Sequence, residues 1–235
     1  MGCFAQQTSD DTGFTREQMD DFAISSLSRA NAAIDSGAFD NEIVPVTISS
    51  RRGDTVVSID EQPGNARVDK IPSLRPAFAK DGTITAANAS SISDGASALL
   101  IMSASEAKKR GLTPLAAIKA HATHAQHPCE FTIAPVGAMN KVLAGAGWST
   151  DDVDLYEINE AFAMVTMLAM KVLELDHSKV NVNGGACALG HPLGSSGSRI
   201  IVTLLHALKN KGLSKGVASL CIGGGEATAI AVEML

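Results

Sequence analysis

Apolar residues first recur with a helical period after Phe14. Met19, Phe22, Ala23, Leu27, Ala30 and Ala33 fall near one face. Thr15 and Gln18 form an S/T-x-x-E/Q capping box ahead of them and Gly37 supplies a stop, so a helix is predicted over 15–36. Strands are predicted at 42–49, on Ile43, Val46 and Ile48, and at 54–59. Residues 60–83 lose the periodicity, carry Pro63, Pro72 and Pro76, and read as an ordered, irregular excursion with a basic cluster of Arg67, Lys70 and Arg75. From 85 to 97 nearly every side chain is small, which lets backbones and ligands approach closely. A short strand at 98–102 and a short helix at 106–110 follow. The strand has no evident partner in the pattern, so it either joins the later sheet or pairs with a chain segment outside this sequence. From 115 the alternation is regular: strands at 115–125, 153–158, 180–182, 216–221 and 227–234, and helices at 135–144, 160–173 and 195–211. This pattern predicts an α/β protein with a mixed, mainly parallel five-stranded sheet and helices on both faces. Gly223-Gly224-Gly225 joins the last two strands as a hairpin.

Composition narrows the function classes. Of 235 residues, 45% are hydrophobic but only 4% aromatic, so the core is built from Ala, Val, Ile, Leu and Met around 21 glycines. A net charge of −6 argues against nucleic-acid partners, whose phosphates need clustered Lys and Arg. No apolar run reaches the roughly 20 residues that cross a bilayer, and no secretory leader is evident, so a secreted or membrane-spanning protein is not expected. Cys3, Cys129, Cys187 and Cys221 make no C-x-x-C pair and no zinc-like spacing, which suits a reducing compartment.

Three loops carry the chemistry, each after a predicted strand. Ligands of open α/β sheets bind outside the carboxyl ends of strands, so these loops can converge. They are Asn159-Glu160-Ala161-Phe162-Ala163, the glycine-framed Gly184–Gly194 loop containing His191, and Cys221-Ile222-Gly223-Gly224-Gly225. A loop imidazole such as His191 is a natural general base, or simply a hydrogen-bonded residue at a helix start. Cys221 can be a nucleophile or acid/base group beside glycines that leave room and free N–H donors, or a strand-end core residue. Asn159 alone reads as a helix N-cap. His121, His124 and His127 recur every third residue without a supporting carboxylate, which does not make a metal site. His177 and His206 read as surface positions, and Glu157 and Glu160 as solvated or capping residues. Gly190, Gly194 and Gly197 form only a loose version of a dinucleotide loop.

The order and spacing of Asn159-Glu160-Ala161-Phe162, Gly190-His191-Pro192 and Cys221-x-Gly223-Gly224-Gly225 resemble the thiolase family across the whole chain. Phe131-Thr132-Ile133-Ala134-Pro135 and the run from Thr85 to Ser90 resemble the mitochondrial-type acetyl-CoA acetyltransferases most closely. The resemblance implies a thiolase-like α/β fold and interconversion of two acetyl-CoA with acetoacetyl-CoA plus CoA. His191 then matches the base that activates an acylated cysteine, and Cys221 the second cysteine, which moves the α-proton. Asn159 matches the residue that holds a water near His191 in one oxyanion hole, and Gly223 supplies an N–H to the other. Ser90 matches a serine on the pantetheine arm, and Arg67, Val68, Asp69 and Lys70 a nucleotide-side segment, so CoA is expected as substrate and product with no covalent cofactor.

The resemblance also has departures. Leu27 stands where the potassium-responsive branch uses a tyrosine hydroxyl. The remaining candidate ligands are backbone carbonyls of Ala86, Ala87, Ala89 and Cys187, so no metal is assigned. Thr132 stands where that branch has proline, which leaves acceptance of 2-methyl-branched acyl groups open. None of the four cysteines has the glycine-flanked context of the acylated cysteine, so the chain is expected to be the C-terminal portion of a thiolase, inactive alone. Residues 1–84 then form part of a CoA-covering loop domain, 85–113 a remnant of the N-terminal half-domain, and 114–235 the C-terminal half-domain. A homo-oligomer, dimer or tetramer, in bacterial cytoplasm or mitochondrial matrix is implied. A non-catalytic CoA- or nucleotide-binding module is the alternative.

Overall fold

The computed structural model describes all 235 residues. Helix α1 (Gly2–Thr12) precedes α2 (Arg16–Asp35), and β1 (Val46–Ser50) and β2 (Gly53–Val57) form an antiparallel hairpin apart from the main sheet. Next come α3 (Glu61–Asn65), a 3-10 turn at Val68–Ser73, and α4 (Ala104–Arg110). The C-terminal part runs β3 (Ala116–Ala125), α5 (Ala134–Ala146), β4 (Leu155–Ile158), α6 (Ala163–Leu173), α7 (Ala186–Leu189), α8 (Ser196–Lys211), β5 (Lys215–Cys221) and β6 (Glu226–Met234). The predicted capping box of α2 is present: Thr15 Oγ1 accepts from Gln18 N and Gln18 Oε1 accepts from Thr15 N.

The main sheet is mixed and has helices on both faces, as expected. Its order is β3-β6-β5-β4. The balance of strand directions differs from the expectation: β4 and β5 are parallel, while β5–β6 and β6–β3 are antiparallel. The β5–β6 hairpin reverses the chain, and β3 then pairs with the reversed strand. The expected fifth strand at 180–182 is a single parallel bridge, Tyr156 to Val180. Asn181 turns there with φ +47°, and its side chain takes over the next ladder positions by accepting from Ile158 N and donating to Ile158 O, both 2.8 Å. Residues 98–102 join no ladder, and Leu100 and Ile101 are exposed. Helix α1 was not evident from the pattern, since its sequence, GCFAQQTSDDT, has no apolar stripe.

Alternation along the strands separates two cores. Tyr156, Ile158, Val217, Ala227, Ala229 and Ala231 meet Val136, Met139, Val142 and Leu143 of α5. Leu155, Ala218 and Val232 meet Ile200, Leu204 and Leu208 of α8. Alanines on β6 keep α5 close to the sheet, and Gly216 does so for α8, because a Cβ there would lie 2.9 Å from Leu204 and Leu208. Both helices are thereby held against the sheet whose strands β4 and β5 end at the Asn159 and Cys221 loops.

Candidate active site

The small-residue run after Thr85 joins the loops. Asn88 anchors it: Nδ2 donates to Asp20 Oδ1 (2.9 Å) on α2 and to Thr83 O (3.0 Å), while Oδ1 accepts from Thr85 N (2.8 Å). Asn88 O then accepts from Ala163 N, and Ser90 donates to Ala161 O through its N–H (3.1 Å) and its hydroxyl (3.0 Å). One residue further on, Ser91 O accepts from His191 N at 2.9 Å. A single extended segment therefore lies against both the Asn159 and the His191 loops. Gly190 makes this possible: it holds φ +79°, and a Cβ there would collide with Ser93 Oγ and Cβ.

His191 is half-buried. Its Nδ1 lies 2.6 Å from Ser196 Oγ, and that hydroxyl is also 3.1 Å from Pro192 O. The carbonyl can only accept, so Ser196 donates to it and Nδ1–H donates to Ser196 Oγ. The protonated nitrogen is thus Nδ1, and Nε2 presents a lone pair towards Asn159 Nδ2 at 3.5 Å. Burial, reinforced by the charge of Arg199, holds the imidazole below the usual histidine range. A neutral ring with a free Nε2 is a general base at neutral pH.

Asn159 is buried, and its Oδ1 has no partner. It is not a helix cap, because α6 begins four residues later, with Phe162 at its cap position. Its N–H donates to Ser219 O (3.0 Å) on β5, two residues before Cys221. Cys221 ends β5, buried with Ala161, Phe162 and Phe131. Burial pushes its thiol up to about 12, so it is neutral at pH 7. No acceptor in the chain takes the Gly223 N–H, and a Cβ on Gly223 would lie 2.7 Å from Met1 Sδ. A neutral base, a protonated thiol and a free backbone donor on adjoining loops are the parts needed to move a proton and stabilise an oxyanion.

Two carboxylates depart from their expected surface roles. Glu160 is buried and accepts from Ser26 Oγ (2.7 Å) on α2, Asn181 Nδ2 (2.8 Å) and Cys187 N (3.0 Å). It therefore ties α2, the Asn159 loop and α7 together, and a Cβ at Gly185 would strike it. Glu157 is also buried, with Oε1 unpartnered, and desolvation raises it to about 8. Charged residues on strands usually face solvent, but both faces of β4 are covered. His177 stacks on Phe22 with ring centroids 5.1 Å apart, and His206 is half-buried, so neither is a plain surface residue. Ser196 was not anticipated. Its only signal in the sequence was a hydroxyl five residues past His191, at the start of a predicted helix.

A cleft of about 540 Å³ beside α2 is lined by Arg67, Lys70, Leu27, Ala86, Ala87 and Cys187, among others. It brings the basic pair to the small-residue run. Asp69 and Val68 are exposed on the same 3-10 turn, and Lys70 pairs with Asp69 at 3.5 Å in solvent, a contact worth little. Leu27 offers the cleft no oxygen, while Glu61, Gln62 and Asn65 also line it. No group of three or more metal-ligating side chains occurs, and the His121–His124–His127 run forms none.

The loops after β4 and β5 and the glycine-framed loop ahead of α8 carry Asn159, Cys221 and His191, and hydrogen bonds link Asn159 to both His191 and β5. Residues 1–105 match the model of the thiolase N-terminal domain and 112–234 that of the thiolase C-terminal domain. The chain belongs to the thiolase family. It is 52% identical to a probable acetyl-CoA acetyltransferase of Dictyostelium discoideum over 236 aligned residues, covering 100% of this chain and 57% of that protein. The crystal structure of the Bacillus anthracis acetyl-CoA acetyltransferase superposes with a TM-score of 0.97 at 46% identity, covering 100% of this chain and 60% of that one. The Acat5 thiolase of Ascaris suum in complex with coenzyme A superposes with a TM-score of 0.89 at 43% identity, again covering 100% and 60%. The chain thus spans about three-fifths of the length of these relatives.

Proposed function

We propose that this chain supplies the acid–base half of an acetyl-CoA C-acetyltransferase. The reaction condenses two acetyl-CoA to acetoacetyl-CoA plus CoA, and thiolysis is its reverse. The observation that carries the reading is His191, held neutral with its Nε2 lone pair aimed at Asn159, whose own N–H donates to Ser219 O on the strand that ends at Cys221. His191 takes the proton of a nucleophilic cysteine as that sulfur attacks the thioester carbonyl. That cysteine is supplied by a segment outside these 235 residues, since none of the four here has the glycine-flanked context. In condensation the neutral Cys221 thiol first protonates the departing CoA thiolate, and the Cys221 thiolate so formed removes the α-proton of the second acetyl-CoA. In thiolysis the steps reverse, the thiol giving its proton to the carbanion and the thiolate taking the proton of the attacking CoA thiol. Asn159 and His191 hold a water for one oxyanion, and Gly223 N–H faces the other.

CoA enters over residues 1–84, with Ser90 on the pantetheine arm and Arg67, Val68, Asp69 and Lys70 towards the nucleotide end. The cleft that joins Arg67 and Lys70 to the small-residue run supports this placement, and the existence of a CoA complex of the Ascaris relative supports CoA as the substrate class. In this scheme 85–113 belongs to the N-terminal half-domain and 114–235 is the C-terminal half-domain. The working enzyme is a homo-oligomer of bacterial cytoplasm or mitochondrial matrix, and the chain alone does not turn over.

Calorimetric titration with CoA and with NAD tests the substrate class. CoA should bind, and Arg67→Ala with Lys70→Ala should weaken it. Binding of NAD without binding of CoA contradicts the reading.

A further inference from the structure

We propose that Arg199 is a positioning residue for His191, its guanidinium carried on the helix face that holds the imidazole at one end and a buried carboxyl at the other. The inference rests on His191 as the base of the proposed reaction. On α8, Ser196, Arg199 and Thr203 stand three and four residues apart and share one face. Ser196 Oγ lies 2.6 Å from His191 Nδ1, and Thr203 Oγ1 donates to Glu42 Oε1 at 3.2 Å. Arg199 stands between these two contacts. Glu157 approaches from the sheet. It shares a face of β4 with Leu155, which packs against Ile200, Leu204 and Leu208 of α8.

This cluster is enclosed and incompletely paired. Glu157 is 2% exposed. Arg199 Nε and Nη1, Glu42 Oε2 and Glu157 Oε1 are buried without a hydrogen-bond partner. The proton-transfer steps use none of these groups. Unpaired buried polar groups cost free energy, and such groups concentrate where their charge has a use.

The use follows from the surrounding charges. Glu42, Asp60 and Glu157 act on the guanidinium, Glu160 acts on Glu157, and Arg199 is the one charge that bears on the His191 ring. Burial pushes Glu42 up to about 7 and Glu157 up to about 8. Below those values neither carboxyl offsets the guanidinium. Its positive charge therefore opposes a second proton on the ring in the range where a histidine would take one. Ser196 fixes Nδ1–H, and Arg199 keeps Nε2 open for the proton of the attacking thiol.

NMR titration of the chain with isotope-labelled histidine tests the coupling, with His191→Gln identifying the His191 signals among the six imidazoles. Arg199→Gln should raise the proton affinity of His191 at least about threefold, a modest share of what one partly buried charge exerts on a neighbour. Arg199→Lys keeps the charge and should leave that affinity within about 1.5-fold of the wild type. His206 lies on the same helix, where burial and Lys209 set its titration. It should not move in either variant, and it reports any general loosening of α8. Arg199→Met supplies a second neutral replacement. An unchanged His191 midpoint in Arg199→Gln, equal shifts in the Gln and Lys variants, a matching shift of His206, or failure of both neutral variants to fold each overturns the proposal. The titration needs no turnover, so these outcomes leave the acyltransferase reading where it stood. In an assembly with a nucleophile-bearing N-terminal portion, the acid limb of cysteine acylation should move to higher pH in Arg199→Gln. A limb that stays in place while the NMR midpoint moves overturns His191 as the base, and the positioning role with it.

Discussion

Glu157 is the residue whose environment departs furthest from its type. It is fully enclosed between the sheet and α8, and desolvation raises its carboxyl to about 8. Glu42, hydrogen-bonded by Thr203 Oγ1, is raised to about 7 mainly by burial. An acid with a raised folded value binds its proton more tightly in the fold. Its contribution to stability is complete below the ordinary value of 4.5 and is lost as pH rises through about 7 to 8. Urea midpoints should therefore fall between about pH 5 and about pH 8, and Glu157→Gln should flatten that fall. An unchanged slope in the variant would mean that Glu157 is ionised in the fold. Gly190 sets a backbone limit at the same scale. Its φ of +79° and its closeness to Ser93 leave no room for a methyl group, so Gly190→Ala should cost about 1–3 kcal/mol in urea unfolding.

At the scale of elements, legibility followed local signals. The α2 helix was readable because its capping box and apolar stripe agree, and Thr15→Ala should cost about 0.5–2 kcal/mol of unfolding free energy. The α8 stripe of Ile200, Leu204 and Leu208 was equally local. Leu204→Ala there should cost about 2–5 kcal/mol, measured in the same way. Strand direction was not local. Whether β3 pairs parallel or antiparallel depends on β6, which returns from the hairpin more than 100 residues later. The segment at 98–102 shows the same effect, because its apolar composition resembles a strand but no ladder partner reaches it. Asn159, His191 and Cys221 were legible through motif spacing. The partners that orient the loops were not, since Ser196, Asn88 and Glu160 carry no distinctive pattern and gain their roles only when α2, α6 and α8 meet.

At the scale of the whole molecule, a composition poor in aromatics and rich in small residues matches the architecture. Helix α2 can lie against α7 because Gly184, at φ +81°, faces Ser26 O and Ala30 with no side chain between. The segment from Asn88 to Ser91 can lie between two loops because its own side chains are small. The same closeness fixes His191 against Asn159. The central claim, that these residues supply acid–base chemistry to a cysteine held elsewhere, is tested most directly by thiolysis of acetoacetyl-CoA. The purified chain would be assayed alone and after assembly with the nucleophile-bearing N-terminal portion of an acetyl-CoA acetyltransferase relative. The account predicts no turnover alone, turnover in the assembly, loss of cysteine acylation with His191→Ala, and acylation without α-proton exchange with Cys221→Ala. Turnover by the 235-residue chain alone, or a folded assembly whose activity is unaffected by His191→Ala, would contradict it.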